Sequence, residues 1–178
     1  MHQQVITFWF DEAGSAAWWK ADPGFDDLIR QRFGSLLQQA AKGELFSWRP
    51  TALGRLAEII VLDQFSRNMY RNTSQAFAQD PTALVLAQEA IAAGADRELE
   101  PSQCSFLYMP FMHSESKLIH QQAELLYRKL GSKGNLEFEL KHKAIIDRFG
   151  RYPHRNELLG RSSTADELEF LQQPGSSF

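Results

Sequence analysis

Apolar positions recur along this 178-residue chain at spacings of three and four, and almost nowhere at two. That period belongs to the amphipathic helix and not to the strand. Asp22-Pro23 offers an N-cap followed by proline at the first helical position, ahead of Phe25, Leu28, Ile29, Phe33, Leu36 and Leu37, with Gly43 as the expected stop. Thr51 caps a helix through Leu53, Leu56, Ile59, Ile60, Val61, Leu62 and Phe65. Its residues are apolar on nearly every side between Leu56 and Leu62, which makes it the expected central helix. Asp80-Pro81 repeats the cap-and-proline device before Leu84, Leu86 and Ile91, and Gly94 closes that helix. Two more helices are expected, one over residues 114–130 with Ser114 as N-cap and Gly131 as stop. The other runs from Asn135 to Phe149 and is broken by Gly150 and Pro153. Thr164 and Glu167 spell a capping box for a last short helix. The predicted fold is all-α: a single domain over residues 1–178 of about eight to ten antiparallel helices, with a loose tail over 171–178.

Composition narrows the class. A chain of this length buries ~70% of its unfolded surface, and 12% aromatic residues, with 13 Phe and four Trp, argue for a large core and against disorder. A net charge of −3 gives no general attraction to nucleic acid or to an anionic membrane. The apolar run Val5 to Phe10 has no Lys or Arg before it and Asp11-Glu12 after it, so it reads as neither signal peptide nor membrane span. Cys104 is the one cysteine, which excludes an internal disulfide and fits a reducing compartment; the expected location is cytoplasmic.

Candidate chemistry concentrates in residues 148–161, where Arg148, Arg151, Arg155 and Arg161 stand against one glutamate, with His154 and Asn156 beside the Pro153 break. Guanidinium donors next to a helix start suit a phosphate or carboxylate. A second set lies on the central helix. Leu56, Ile60, Asp63 and Arg67 share one stripe, so Asp63 and Arg67 form a charged pair at i, i+4, with Asn68 and Arg71 following. That set is either a structural ion pair or a group in which Asp63 orients Arg67, Asn68 and Arg71 toward a ligand. The third set is Tyr108-Met-Pro-Phe-Met-His-Ser-Glu115. Projected on the helix expected there, Glu115 points to the side of Leu118, Ile119 and Gln122, as a cap partner or as an acid–base group of shifted pKa. His113, His120 and Glu124 fall on the stripe opposite Leu118, Leu125 and Lys129, which leaves His120 a surface histidine without a role. His142 shares a face with Phe138, Ile145 and Phe149 and reads as a core histidine. The helices leading away from Glu115 and back to Phe149 are nearly equal in length, so Glu115 is expected beside the 148–156 break.

No Gly-x-Ser-x-Gly elbow, glycine-rich phosphate loop, histidine pair at i, i+4 or cysteine pair is present. No metal and no cofactor are expected. Two functions survive. One is binding, extending to turnover, of a small phosphate- or carboxylate-bearing molecule in an interior pocket. Its ligand-binding residues would be Arg67, Asn68, Arg71, His113, Arg148, Arg151, Arg155 and Asn156, with Glu115, His154 and Asp63 as catalytic or orienting groups. The other is a helical adaptor that grips a peptide or partner protein.

The runs Phe8-Trp9-Phe10, Leu62-Asp63-Gln64-Phe65, Arg67-Asn68-Met69-Tyr70-Arg71, Tyr108 to Glu115, Arg148 to Asn156 and Gly160-Arg-Ser-Ser-Thr164 resemble the domain of unknown function 924 family, in the same order, from Val5 to about Leu171. The resemblance implies an all-α arrangement of the tetratricopeptide-like or α-α superhelix kind, and no activity. Ser66 stands where that family typically has proline, and His120 where glutamine is common.

Overall fold

The computed structural model describes residues 1–177. Its helices are α1 (His2–Ile6), α2 (Ser15–Trp18), α3 (Pro23–Ala41), α4 (Ala52–Ile60), α5 (Ser66–Met69) and α6 (Asp80–Ala92). They continue as α7 (Pro101–Met112), α8 (Lys117–Leu130), α9 (Lys133–Phe149) and α10 (Ala165–Leu171). There is no strand among the described residues, and the fold is all-α. The chain divides into two compact units, one of residues 1–71 and 75–110, the other of 72–74 and 111–178.

In the first unit the expected caps do their work. The Asp22 carboxylate accepts from the backbone N–H groups of Gly24 and Phe25, with Pro23 in the first turn, and α3 follows for 19 residues. Thr51 accepts from Gly54 N–H to start α4. Gly54 has a second reason to be there: a Cβ at that position would lie 1.9 Å from the Trp48 carbonyl oxygen, so only glycine lets the preceding chain cross the helix. All residues from Leu56 to Ser66 are buried, as the apolar run requires of a central element.

The helix does not stay α-helical. Val61–Phe65 widens into a π-helical turn before α5 resumes, and Thr7–Ala13 does the same after α1. Such turns slip the register and swing polar groups onto faces the α period would not place inside. The two meet through aromatic rings: Phe65 lies 6.0 Å from Phe8, 5.6 Å from Trp9 and 4.9 Å from Phe33. Phe8, Trp9 and Phe65 are each at most 1% exposed, and each such side chain contributes about 1.5–3 kcal/mol by burial.

Two local expectations give way. Asp80 does not cap α6; Gln79 occupies the cap position without a side-chain bond, and the Asp80 carboxylate turns to Arg67 instead. A charge-assisted fork to guanidinium outweighs one bond to a helix N–H. The run Pro101–Met112, where the pattern gave no helix, is α7, with Pro110 inside it and every residue from Cys104 to Met112 buried.

In the second unit α8 and α9 form an antiparallel hairpin, turned at Gly131 and ended at Gly150, both left-handed at φ 75° and 71°. Ser116, not Ser114, is the N-cap of α8. The stripes are as projected but their sides are reversed: His120, Ala123 and Tyr127 point inward, whereas Leu118 is 66% and Leu125 60% exposed. Ile145, Ile146 and Tyr152 form the core against Phe149 and Phe170. The Thr164–Glu167 capping box is present and starts α10. In the segment expected to be loose, Ser176 is buried and donates to the Leu171 carbonyl, while Phe178 lies outside the described residues. Among the described residues no helix is long and apolar enough to cross a membrane.

Candidate functional site

The central-helix set is a pair of closed ionic networks in the first unit. Arg67 Nη1 donates to Asp63 Oδ1 at 3.1 Å and to the Asp63 carbonyl at 2.8 Å, and both of its terminal nitrogens fork onto Asp80 at 2.9 and 3.0 Å. Gln64 Nε2 donates to the other Asp63 oxygen at 2.6 Å. Asp63 is 1% exposed. Asn68 and Arg71 belong to a second network, on Asp26: Asn68 Nδ2 donates at 2.7 Å, and Arg71 Nε and Nη2 at 2.6 and 2.8 Å. Burial works against the Asp26 charge, but the Arg71 guanidinium and Asn68 amide outweigh it and hold the carboxyl below its ordinary pKa. Asp63, Arg67, Asn68 and Arg71 are thus built as anchors, each opposite a fixed partner.

The second unit gathers the rest. Glu115 meets the 148–156 break as the equal helix lengths predict: its Oε1 accepts the Tyr152 backbone N–H at 2.7 Å. Its charged partner, however, is Arg161, whose two terminal nitrogens donate at 2.6 and 2.9 Å. Burial resists the Glu115 charge, yet Arg161 and the Tyr152 N–H prevail and its pKa is lowered. That direction suits an anchor and opposes a general base at neutral pH. Asn156 continues the network, accepting from Arg161 Nε at 2.9 Å and donating to Ser163 and Glu167. Arg151 closes on Glu167 through two bonds of 2.6 and 2.8 Å, and Arg151 with the Thr164 N–H holds the Glu167 pKa at about 2. Arg148 is exposed and lies over the Phe149 ring at 4.5 Å.

What remains is a cluster around the buried ring of Tyr152. The Arg155 guanidinium, in a residue only 4% exposed, sits 4.6 Å over that ring. The rings of His120, His142 and His154 stand 6.2, 5.9 and 5.7 Å from it. His113 lies near enough to act on His142. Burial, together with the charge of His113, His120 and Arg155, pushes the His142 pKa down to about 3. Four of the five histidines in the chain therefore share one neighbourhood. Among the described residues no group of three or more His, Cys, Asp or Glu side chains is placed to hold a metal ion.

The model of the family described as bacterial protein of unknown function (DUF924) matches residues 5–175. The chain belongs to the DUF924 family. A solved structure of a protein of unknown function from Agrobacterium tumefaciens is 36% identical to it, covers 96% of each chain and superposes with a TM-score of 0.92. No curated protein matches the chain.

Among DUF924 residues here, several of the site were not singled out by sequence. His120 is fully buried and not on the surface as its stripe predicts: its Nδ1 lies 2.7 Å from Glu139 Oε1 and its Nε2 2.8 Å from the Ser114 carbonyl. The signal for it was spacing: His120, Ala123 and Tyr127 stand at i, i+3 and i+7 and share one helix face. Arg161 was visible as a charge and Glu167 as a cap, but neither announces a partner 46 or 16 residues away. Asp26 and Glu139 gave no local signal at all.

Proposed function

We propose that the second unit binds a small anionic molecule, bearing phosphate or carboxylate, at the cluster around Tyr152, in a cytoplasmic setting. Arg155 supplies the permanent charge, and His113 and His154, both only part-buried, supply donors whose protonation follows the ligand. The single observation that carries the reading is the convergence of three histidine rings and a buried guanidinium on one tyrosine. Burial is the main reason that His142 resists protonation, and the charges of His113, His120 and Arg155 push in the same direction; positive charge gathered in a buried place favours an anion. Turnover would fall to His154, since Glu115 and Asp63 are held as anchors. The test is isothermal titration against a panel of phosphate- and carboxylate-bearing metabolites. At least one should bind saturably, Arg155→Met should weaken it at least tenfold, and Arg128→Met, on an exposed pair with Glu124, should leave it unchanged. Binding by none of the panel overturns the reading.

A second reading, an adaptor for a peptide or partner protein, draws on Leu118 and Leu125, exposed and seven residues apart on α8. Two turns of apolar spacing are what a helix surface offers a partner. Loss of a pulled-down partner on Leu118→Asp with Leu125→Asp would move the account there.

A further inference from the structure

His120 and Glu139 lie on α8 and α9, both 0% exposed, with Nδ1 2.7 Å from Oε1. The surroundings settle where protons can sit. His120 Nε2 faces the Ser114 carbonyl at 2.8 Å, and a carbonyl only accepts. It also faces the Tyr152 hydroxyl at 3.1 Å, whose own proton is donated to the Met112 carbonyl at 2.5 Å. Both oxygens require a proton on Nε2. The contact between Nδ1 and Oε1 then needs one more, carried by either atom. Without it, an imidazole lone pair would face a carboxylate in a space closed to water, with nothing to offset the repulsion. A further proton would have to settle on Glu139 Oε2, a buried atom with no hydrogen-bond partner, and would leave the pair positive beside His142.

We propose that His120 and Glu139 share one proton, and that this proton is a latch closing α8 on α9, released by base. An imidazolium–carboxylate pair and an imidazole–carboxylic acid pair both hold it, and both are neutral overall. Burial raises the Glu139 pKa against the pull of His120, the direction that sharing requires. When the hairpin opens above pH ~6.5, a free histidine and a free glutamate hold no such proton, so opening releases one. A group whose proton is held more tightly in the closed form stabilises that form at lower pH and less as pH rises. The opening equilibrium should therefore grow tenfold for each pH unit above ~6.5. Glu124 of α8, Lys143 and His142 of α9, and Tyr152 and Arg155 after α9 also face the pair or His142 beside it, as does His113 after α7. Comparison with a variant at residue 139 cancels their contribution. The latch rests on these contacts and is independent of whether an anion binds.

The test is amide hydrogen exchange of α8 and α9 in the full chain between pH 6.5 and 9, corrected for intrinsic rates. Protection should fall about tenfold per pH unit in the native chain. In Glu139→Gln, the amide donates to Nδ1 without titrating, so protection should fall less by that factor of ten per unit. Equal slopes in the two proteins, or a flat profile in the native chain, overturns the proposal. Should Glu139→Gln not fold, the His120 ring nitrogen shifts of the native chain decide. A protonated Nε2 with no titration up to pH 9 supports the latch, and a bare Nε2, or loss of the shared proton below pH 9, overturns it.

Discussion

Arg67 and Arg71 in the first unit close on carboxylates of the same unit, whereas Arg155 in the second lies buried over a tyrosine among histidines. Both units thus bring charge inside, by different means. The first sets aspartates against arginines at fixed geometry: Arg71 and Asn68 hold the Asp26 carboxyl below its ordinary pKa, and arginine never deprotonates in the neutral range. The second has fixed pairs too, Glu115 with Arg161 and Arg151 with Glu167, but it surrounds Arg155 with histidines, of which His142 is held far below its ordinary pKa by burial. Stability in the first unit should be insensitive to pH between 5 and 8, and in the second it should not. A charge pair that is merely structural and a cluster that responds to its surroundings are told apart by that difference.

The comparison breaks most easily at Asp63. Asp63→Ala leaves Arg67 half-compensated and Gln64 Nε2 with the weak Met109 sulfur in place of a carboxylate, and should cost ~3–5 kcal/mol in denaturant unfolding. A loss under ~1 kcal/mol would mean that the network contributes no more than a surface pair. Next is Glu115→Gln, which keeps the shape but removes the charge that Arg161 and the Tyr152 N–H address. Its side chain is 25% exposed, so water compensates in part and the expected loss is ~1–3 kcal/mol. An unchanged midpoint would reduce that bridge to decoration.

His142 sharpens the contrast through pH. Its folded pKa lies well below the unfolded value, at about 3. The folded form therefore refuses a proton that the unfolded chain accepts. Its contribution is complete above pH ~6.5 and is lost as pH falls toward 3, at ~1.4 kcal/mol per unit. Unfolding of the second unit, followed by exchange of α9 amides at pH 7, 6 and 5, should show that slope. A flat profile there would place His142 in contact with water. The smallest effect belongs to Asp147→Ala, which removes an exposed i, i+4 pair with Lys143 and should cost under ~0.5 kcal/mol.

Much of the fold was legible because caps and stops are local. Asp22-Pro23, Thr51, the Thr164–Glu167 box, Gly131 and Gly150 all stand where the pattern put them. The misses have physical causes too. Ser114 and Ser116 are the same capping residue type, so local sequence does not choose between them, and the cap is Ser116. Pro110 hides α7, since proline ordinarily breaks a helix interior. The π-helical turns are invisible to a period of 3.6, although Asp63 and Arg67 still pair across one. For the candidate site, sequence located the positions where charge collects, at Asp63–Arg71, Glu115 and Arg148–Asn156. It could not show which arginine meets which carboxylate, because Glu115 finds Arg161 only after α8 and α9 have folded back.

The central claim is that the cluster around Tyr152 receives an anion, and the histidine rings report on it directly. Ring resonances of all five histidines can be followed while inorganic phosphate is added at constant ionic strength and pH, with His2 of the first unit as the internal control. The account predicts saturable shifts at His113 and His154, little change at His2, and loss of the response in Arg155→Met. Shifts that never saturate, or that are as large at His2 as at His154, would contradict it.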